Sequence, residues 1–179
     1  MPTAVTAESR TIYMNSALGR RQFREVLGGL LVGVTLAPDD VWLVSPWISD
    51  FDLLDNRSNN WSMIQPSWGS RVIRFSEVLK ELVDTGSTLT VLTSSDGGSA
   101  AFLKRLDEAV AERTSFRVGV CEDLHIKGLL TSSFFLAGSM NFTFSGTNVN
   151  DEQVQLSSDS NLIAETRLEY EQRYLGVVR

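Results

Sequence analysis

The chain has 179 residues, 42% of them hydrophobic and 21% charged, which is the balance of a globular protein with one domain. A formal net charge of −6 disfavours a strongly basic nucleic-acid binder and a protein held to anionic membranes by charge. No apolar run is as long as a bilayer span, and a single cysteine, Cys121, excludes an internal disulfide framework. We therefore expect a cytoplasmic protein without stable membrane association.

The first predicted segment, residues 1–15, is polar and without periodicity, and we expect a flexible N-terminal arm there. The folded domain is expected over residues 16–179. Three helices are predicted from apolar residues at helical spacing, with Ser16, Ser70 and Ser99 as their N-caps, and a fourth covers residues 161–175. Short β-rich apolar runs predict strands over residues 41–48, 89–93, 116–120, 125–131, 133–137 and 152–156.

This order of elements favours an α/β fold of one domain, with a mixed β-sheet sandwiched between helices. A polar stretch over residues 50–69 is predicted to be a loop, and loops of that length are usually functional or mobile. Trp61 and Trp68 in this loop, with Arg71 beyond it, are candidate substrate contacts, although a simple cover over the site explains the loop equally well. Trp42 and Trp47 belong to the first predicted strand and are expected in the core.

The polar pattern richest in chemistry lies in the second half of the chain and includes the only histidine. Alternation within the strand over 125–131 places a histidine and a lysine on one face. A serine and an asparagine follow the neighbouring strand, and an asparagine and a glutamate open the next, so pairing of these strands brings the side chains together. The sequence thus predicts one pocket lined by His125, Lys127, Ser139, Asn141, Asn150 and Glu152.

This set of side chains suits the cleavage of a phosphodiester. A neutral imidazole is a competent nucleophile toward phosphorus, so His125 would form a phosphohistidine that water or an alcohol resolves. Lys127, with the donors of Ser139 and Asn141, would bind the non-bridging oxygens as charge builds on them. Glu152 would hold the other ring nitrogen of the histidine and fix its tautomer.

The pattern resembles the signature of the phospholipase D superfamily: H-x-K, four residues, D, then G-S-x-N and N-x-E. The family aspartate falls at Ser132; in the family it is mostly a structural support, so the departure bears on activity more than on fold. The short chain and single motif are similar to those of a bacterial nuclease-like branch. The positions that match the signature are His125, Lys127, Gly138, Ser139, Asn141, Asn150 and Glu152.

The resemblance implies a metal-independent phosphodiesterase or nuclease without a cofactor. Its reaction needs a neutral nucleophile and a protonated acid for the leaving oxygen, and in the family two histidines from two motifs fill these roles. Because this chain has one histidine, the resemblance implies a homodimer whose twofold axis passes through the active site. The implied substrate is nucleic acid, DNA before RNA, in bacterial DNA modification or defence, with other proteins of such a system as further candidate partners.

Two other functions fit the same residues. A lipid phosphodiesterase or phosphatidyltransferase would use the same site, although single-motif lipid enzymes are unusual and no membrane-anchoring segment is visible. A catalytically weak or inactive binding or dimerisation subunit would keep the fold, and the acidic net charge and Ser132 favour it. Binding to liposomes or to oligonucleotides separates the lipid enzyme from the nuclease, and a biological function that survives His125→Ala would identify the binding subunit.

Overall fold

The computed structural model describes residues 9–111 and 113–178. Within them the strands are β1 (Ser9–Tyr13), β2 (Asp40–Val44), β3 (Asp52–Asp55), β4 (Val72–Arg74), β5 (Thr88–Ser94), β6 (Phe116–Cys121), β7 (Gly128–Leu130), β8 (Phe135–Gly138) and β9 (Gln153–Ser157). The α-helices are α1 (Ala17–Leu36), α2 (Phe75–Asp84), α3 (Ala100–Ala109), α4 (Phe144–Asn148) and α5 (Ser160–Tyr174). Short 3-10 helices cover Pro66–Trp68, Arg113–Ser115 and Leu175–Val177.

Seven strands form one mixed sheet in the order β1-β9-β8-β7-β2-β5-β6, while β3 and β4 form a separate antiparallel pair. In the main sheet β2, β5 and β6 run parallel, and all other neighbours are antiparallel. A larger core lies between one face and α1, α2 and α3, and a smaller core lies between the opposite face and α5. The predicted single-domain α/β fold, with a mixed sheet between helices, is confirmed.

Helix α1 shows how the local sequence produces this packing. The Ser16 Oγ accepts a hydrogen bond from Gly19 N at 3.1 Å, which satisfies one of the free amides of the first turn. Phe23, Leu27 and Leu31 then recur at helical spacing and are fully buried against the sheet. The predicted start of this helix is confirmed.

The strand directions gather several chain segments at one edge of the main sheet. β2 and β5 end there, and because β7 is antiparallel to β2, with Val44 opposite Gly128, β7 begins there. By the same alternation β8 ends and β9 begins at this edge, with Gly138 opposite Val154. We call this edge, marked by Val44, Gly128, Gly138 and Val154, the site edge.

Three predictions, one near the N-terminus and two around the long loop, are wrong. Residues 9–13 are not part of a flexible arm, because they form β1, pair with β9 and bury Ile12; residues 1–8 lie outside the described residues. The stretch 50–69 is not a plain loop, because it contains β3. Ser70 does not cap α2, because Val72–Arg74 pairs with Asp52–Asp55 as β4 and the helix starts only at Phe75.

Two predicted strands are shorter than expected. The strand over 41–48 stops at Val44, and the strand over 125–131 is reduced to Gly128–Leu130. Its first residues stay irregular because the neighbouring strand β2 has already ended opposite Gly128. His125 and Lys127 are therefore presented from the segment that enters β7, and not from one face of a strand.

Candidate active site

Six of the predicted site residues follow or precede strands at the site edge. His125 and Lys127 lead into β7, Ser139 and Asn141 come after β8, and Asn150 and Glu152 come just before β9. Gly138 N donates to Lys127 O at 3.3 Å, and Ser139 N donates to Gln153 O at 3.0 Å, so the three segments are joined by backbone hydrogen bonds. The structure therefore brings the predicted segments together.

Glu152 is held in place by two of the predicted residues. The Ser139 hydroxyl donates to its Oε2, and Asn150 Nδ2 donates to its Oε1 at 3.3 Å. Ser139 Oγ also accepts from Gln153 N at 3.1 Å, which ties the hydroxyl to the start of β9. The carboxylate is thus oriented by two neighbouring side chains, although within the described residues no hydrogen bond joins it to His125.

Asn141 is positioned by a residue that the sequence analysis did not select. The Ser45 Oγ lies 3.3 Å from Asn141 Oδ1 and 2.8 Å from Trp47 O, and it accepts from Phe142 N at 3.3 Å. Because the amide oxygen faces Ser45, its NH₂ group is left to donate elsewhere. The signal was present in the sequence, since Ser45 is a polar residue in the apolar run VWLVSPWI and is fully buried.

His125 is exposed, and Lys127 is partly buried with its Nζ donating to the carbonyl oxygen of His125 at 2.9 Å. Both line a cleft of about 170 Å³. The other residues around this cleft come from the loops after β2, β5 and β6 and are Pro46, Trp47, Ser94, Ser95, Asp96, Glu122 and Leu124. Of the six residues predicted to share one pocket, His125 and Lys127 line this cleft, whereas Ser139, Asn141, Asn150 and Glu152 are not among its lining residues.

Gly138 serves the packing of the site. A Cβ at this position would lie 2.1 Å from Gln153 O and 2.8 Å from Val154 Cα, which is closer than real Cβ contacts allow. Any other residue would push β8 away from β9. The glycine of the signature thus keeps the end of β8 and the start of β9 close enough for Ser139 and Glu152, which flank them, to hydrogen bond.

The three candidate substrate contacts are placed away from these residues. Trp68 is only 3% exposed and packs in the larger core, so its predicted contact with substrate is wrong. Trp61 is partly buried against the same core. Arg71 forms an ion pair with Glu77, which raises the pKa of the arginine. Burial would raise the pKa of the Glu77 carboxyl, but the hydrogen bonds from Arg71 and from the Arg74 backbone outweigh it and lower this pKa. No hydrogen bond or ion pair within the described residues links Trp61 or Arg71 to the site.

Ser132, which occupies the position of the family aspartate, lies at the end of β7 remote from the site edge. Its backbone N and its Oγ donate to Asp39 Oδ2 at 2.8 and 2.6 Å. Asp39 precedes β2, the strand paired with β7. A carboxylate is therefore present at this turn, but Asp39 supplies it and Ser132 is the donor.

This arrangement predicts that Ser132→Asp destabilises the protein. Two carboxylates would meet where a hydroxyl now donates to one, and we expect a loss of about 1–2 kcal/mol in the free energy of unfolding, measured by urea denaturation. Adding Asp39→Ser to this variant exchanges the two groups and should recover most of the loss. A Ser132→Asp protein as stable as the original chain would contradict this assignment.

A larger groove, of about 660 Å³, lies near the opposite end of β1 and β9. Its lining among the described residues includes Arg10, Leu30 and Phe134, together with four serines, and contains no histidine, cysteine or carboxylate. Within residues 9–111 and 113–178, no helix has the length and hydropathy to cross a bilayer. The chemistry-bearing side chains are therefore concentrated at the site edge.

No family model and no curated protein matches the chain. Solved structures do match it. NucT from Helicobacter pylori has a TM-score of 0.63 and 13% identity, over 96% of this chain and 98% of NucT. Nuc from Salmonella typhimurium, described as a phospholipase D family member, has a TM-score of 0.59 and 13% identity over 97% of both chains. Polyphosphate kinase from Porphyromonas gingivalis has a TM-score of 0.59 and 10% identity, over 92% of this chain and 25% of the kinase. The chain therefore has the phospholipase D fold.

Proposed function

We propose that this protein is a metal-independent phosphodiesterase that cleaves nucleic acid through a phosphohistidine at His125. The observation that carries the proposal is the convergence of a histidine, a lysine, an oriented amide and a held carboxylate at the site edge. Each comes from a strand end that hydrogen bonds to the next, so the set is built by the sheet itself.

The reaction proceeds in two displacements. In the first, a neutral ring nitrogen of His125 attacks phosphorus, the bond to the leaving oxygen breaks, and a second, protonated histidine donates its proton to that oxygen. In the second displacement, the second histidine, now neutral, takes a proton from water. The water oxygen attacks phosphorus, and the bond from phosphorus to the nucleophilic His125 breaks. Because the chain has one histidine, the second comes from another copy, and the active site lies between two subunits.

The remaining residues act on the phosphate and on the ring. Lys127 exchanges its hydrogen bond to the His125 carbonyl for a charge-assisted bond to a non-bridging oxygen. Asn141, oriented by Ser45, donates its NH₂ group to the same phosphate. Glu152 stabilises the histidine that carries positive charge, and Ser139 and Asn150 keep its carboxylate in position.

Nucleic acid is the substrate that chain size and motif count favour. The two neighbours NucT and Nuc are matched over nearly their whole chains, whereas only a quarter of the polyphosphate kinase is matched. A single-motif chain of this length resembles bacterial nucleases more than lipid enzymes. We therefore propose DNA before RNA and place the protein in DNA modification or defence.

The test is cleavage of single- and double-stranded DNA and RNA by the purified protein in excess EDTA. We expect cutting that chelation does not reduce, since none of the proposed steps uses a metal ion. Rapid denaturation during turnover should also trap labelled phosphate on the protein in an acid-labile, base-stable form. If no nucleic acid is cut under any condition, the nuclease proposal is wrong, and the lipid phosphodiesterase and the binding subunit are the functions left to test.

A further inference from the structure

Trp47 differs from the other residues of its segment in being open to solvent. Pro46 and Ile48 on either side are buried, yet 49% of the Trp47 surface is exposed. The expectation that Trp47 lies in the core is wrong because β2 ends at Val44, so the residue lies beyond the sheet that buries Trp42. An exposed indole keeps apolar surface in contact with water, so a ligand that covers this surface gains free energy of binding.

The exposed indole is fixed in place. Its Nε1 donates to the Asp96 carboxylate, and a Cβ on Gly98 would lie 2.8 Å from Trp47 Cδ1, so the ring packs directly on the glycine backbone. The segment itself is anchored by hydrogen bonds from Ser94 and Thr93 to the Pro46 carbonyl. A ring held in this way loses little freedom when a ligand stacks on it.

The ring borders the same cleft as two of the proposed catalytic groups. His125 and Lys127 line it together with Trp47, and its volume of about 170 Å³ is below the range of about 300–1,000 Å³ for drug-sized ligands. Such a space accommodates one flat ring system and not a base pair. A phosphate bound at Lys127 therefore has an aromatic surface beside it.

The charges around the cleft favour a base over a second phosphate as the group that binds beside Trp47. Asp96 and Glu122 also line the cleft, and Asp96 accepts the hydrogen bond of the Trp47 indole. Hydrogen bonds from Gly98 N and from the Trp47 indole lower the pKa of Asp96, so this carboxylate is ionised at neutral pH. Carboxylates repel a phosphate but accept hydrogen bonds from the exocyclic amino groups of bases.

We infer that Trp47 is a stacking platform for one unpaired nucleobase next to the scissile phosphate, which makes the preferred substrate single-stranded. The inference rests on the proposed function and names its substrate class. Lys127 and His125 engage the phosphate while the adjoining base lies on the indole. A duplex would have to unstack and unpair that base before it could bind in the same way.

The experiment compares a single-stranded oligonucleotide with an equally long strand of abasic tetrahydrofuran units. We expect Trp47→Ala to raise KM for the oligonucleotide about ten- to hundredfold and to leave its kcat nearly unchanged. For the abasic strand, both KM and kcat should stay nearly unchanged. Trp47→Phe keeps an aromatic ring and should retain most of the affinity, which separates stacking from loss of folding. Leu168→Ala truncates an apolar side chain of similar exposure on α5. It should leave KM and kcat unchanged for both substrates.

A binding assay keeps this inference separate from catalysis. In a His125→Ala background, anisotropy of labelled strands should show the same weakening by Trp47→Ala for the oligonucleotide and none for the abasic strand. Equal effects on both strands, or on neither, would overturn the stacking role even if the enzyme cuts DNA. Equal binding of a blunt duplex would overturn the preference for single strands. If no strand is cut but the base-dependent weakening persists, the catalytic proposal fails and the stacking site stands.

Discussion

We expect His125→Ala to lower kcat for DNA cleavage in excess EDTA by at least about a thousandfold, as loss of a covalent nucleophile does in other enzymes. The expected effect is large because, in the proposed mechanism, the substitution removes two groups from a shared site: the nucleophile of one subunit and the leaving-group acid of the other. No other histidine exists in the chain to substitute for either. The measurement is single-turnover cleavage with the variant and the original chain side by side.

Asp123→Asn provides the control for this experiment. Asp123 is exposed in the same loop, two residues before His125, and does not line the cleft. Its substitution should leave kcat within about twofold, since a surface change of this kind removes no group of the site. Activity that survives in His125→Ala would remove His125 from the mechanism. Activity that EDTA abolishes in the original chain and in Asp123→Asn would point to a metal-dependent reaction.

Mixing of subunits gives the second large expected effect. When the original chain is refolded with a ninefold excess of His125→Ala, random pairing leaves about 1% of dimers with two intact subunits, against about 10% intact chains. A shared site therefore predicts that the mixture has about 1% of the activity of the same total amount of original chain, because a mixed dimer lacks either the nucleophile or the acid. A site complete within one chain predicts about 10%.

Refolding with an equal mass of serum albumin controls for losses during the procedure. The molar mass of the refolded material, measured by light scattering, must correspond to two chains for the proposal to hold. A monomer that keeps full activity per intact chain would show that one histidine suffices, and the shared-site proposal would be abandoned.

The fold class could be predicted because local signals and packing agree over most of the chain. Ser16 followed by Phe23, Leu27 and Leu31 predicts α1, since capping and helical spacing depend only on neighbouring residues. The predictions failed where a segment depends on a distant partner. Val72–Arg74 becomes a strand because Asp52–Asp55 lies beside it, and Ser9–Tyr13 becomes one by pairing with β9 and burying Ile12 in the larger core.

For the candidate site, the sequence by itself determined which residues were predicted to carry the chemistry, because the spacing of His125, Lys127, Asn141 and Glu152 is a property of short segments around strands. Only the tertiary structure decided how these groups are supported. Ser45 reaches Asn141 across 96 residues, and Trp47 is exposed beside His125 because β2 ends three residues before it. Such contacts join distant parts of the chain, and their geometry depends on where each strand stops, which strand pairing in the folded sheet determines.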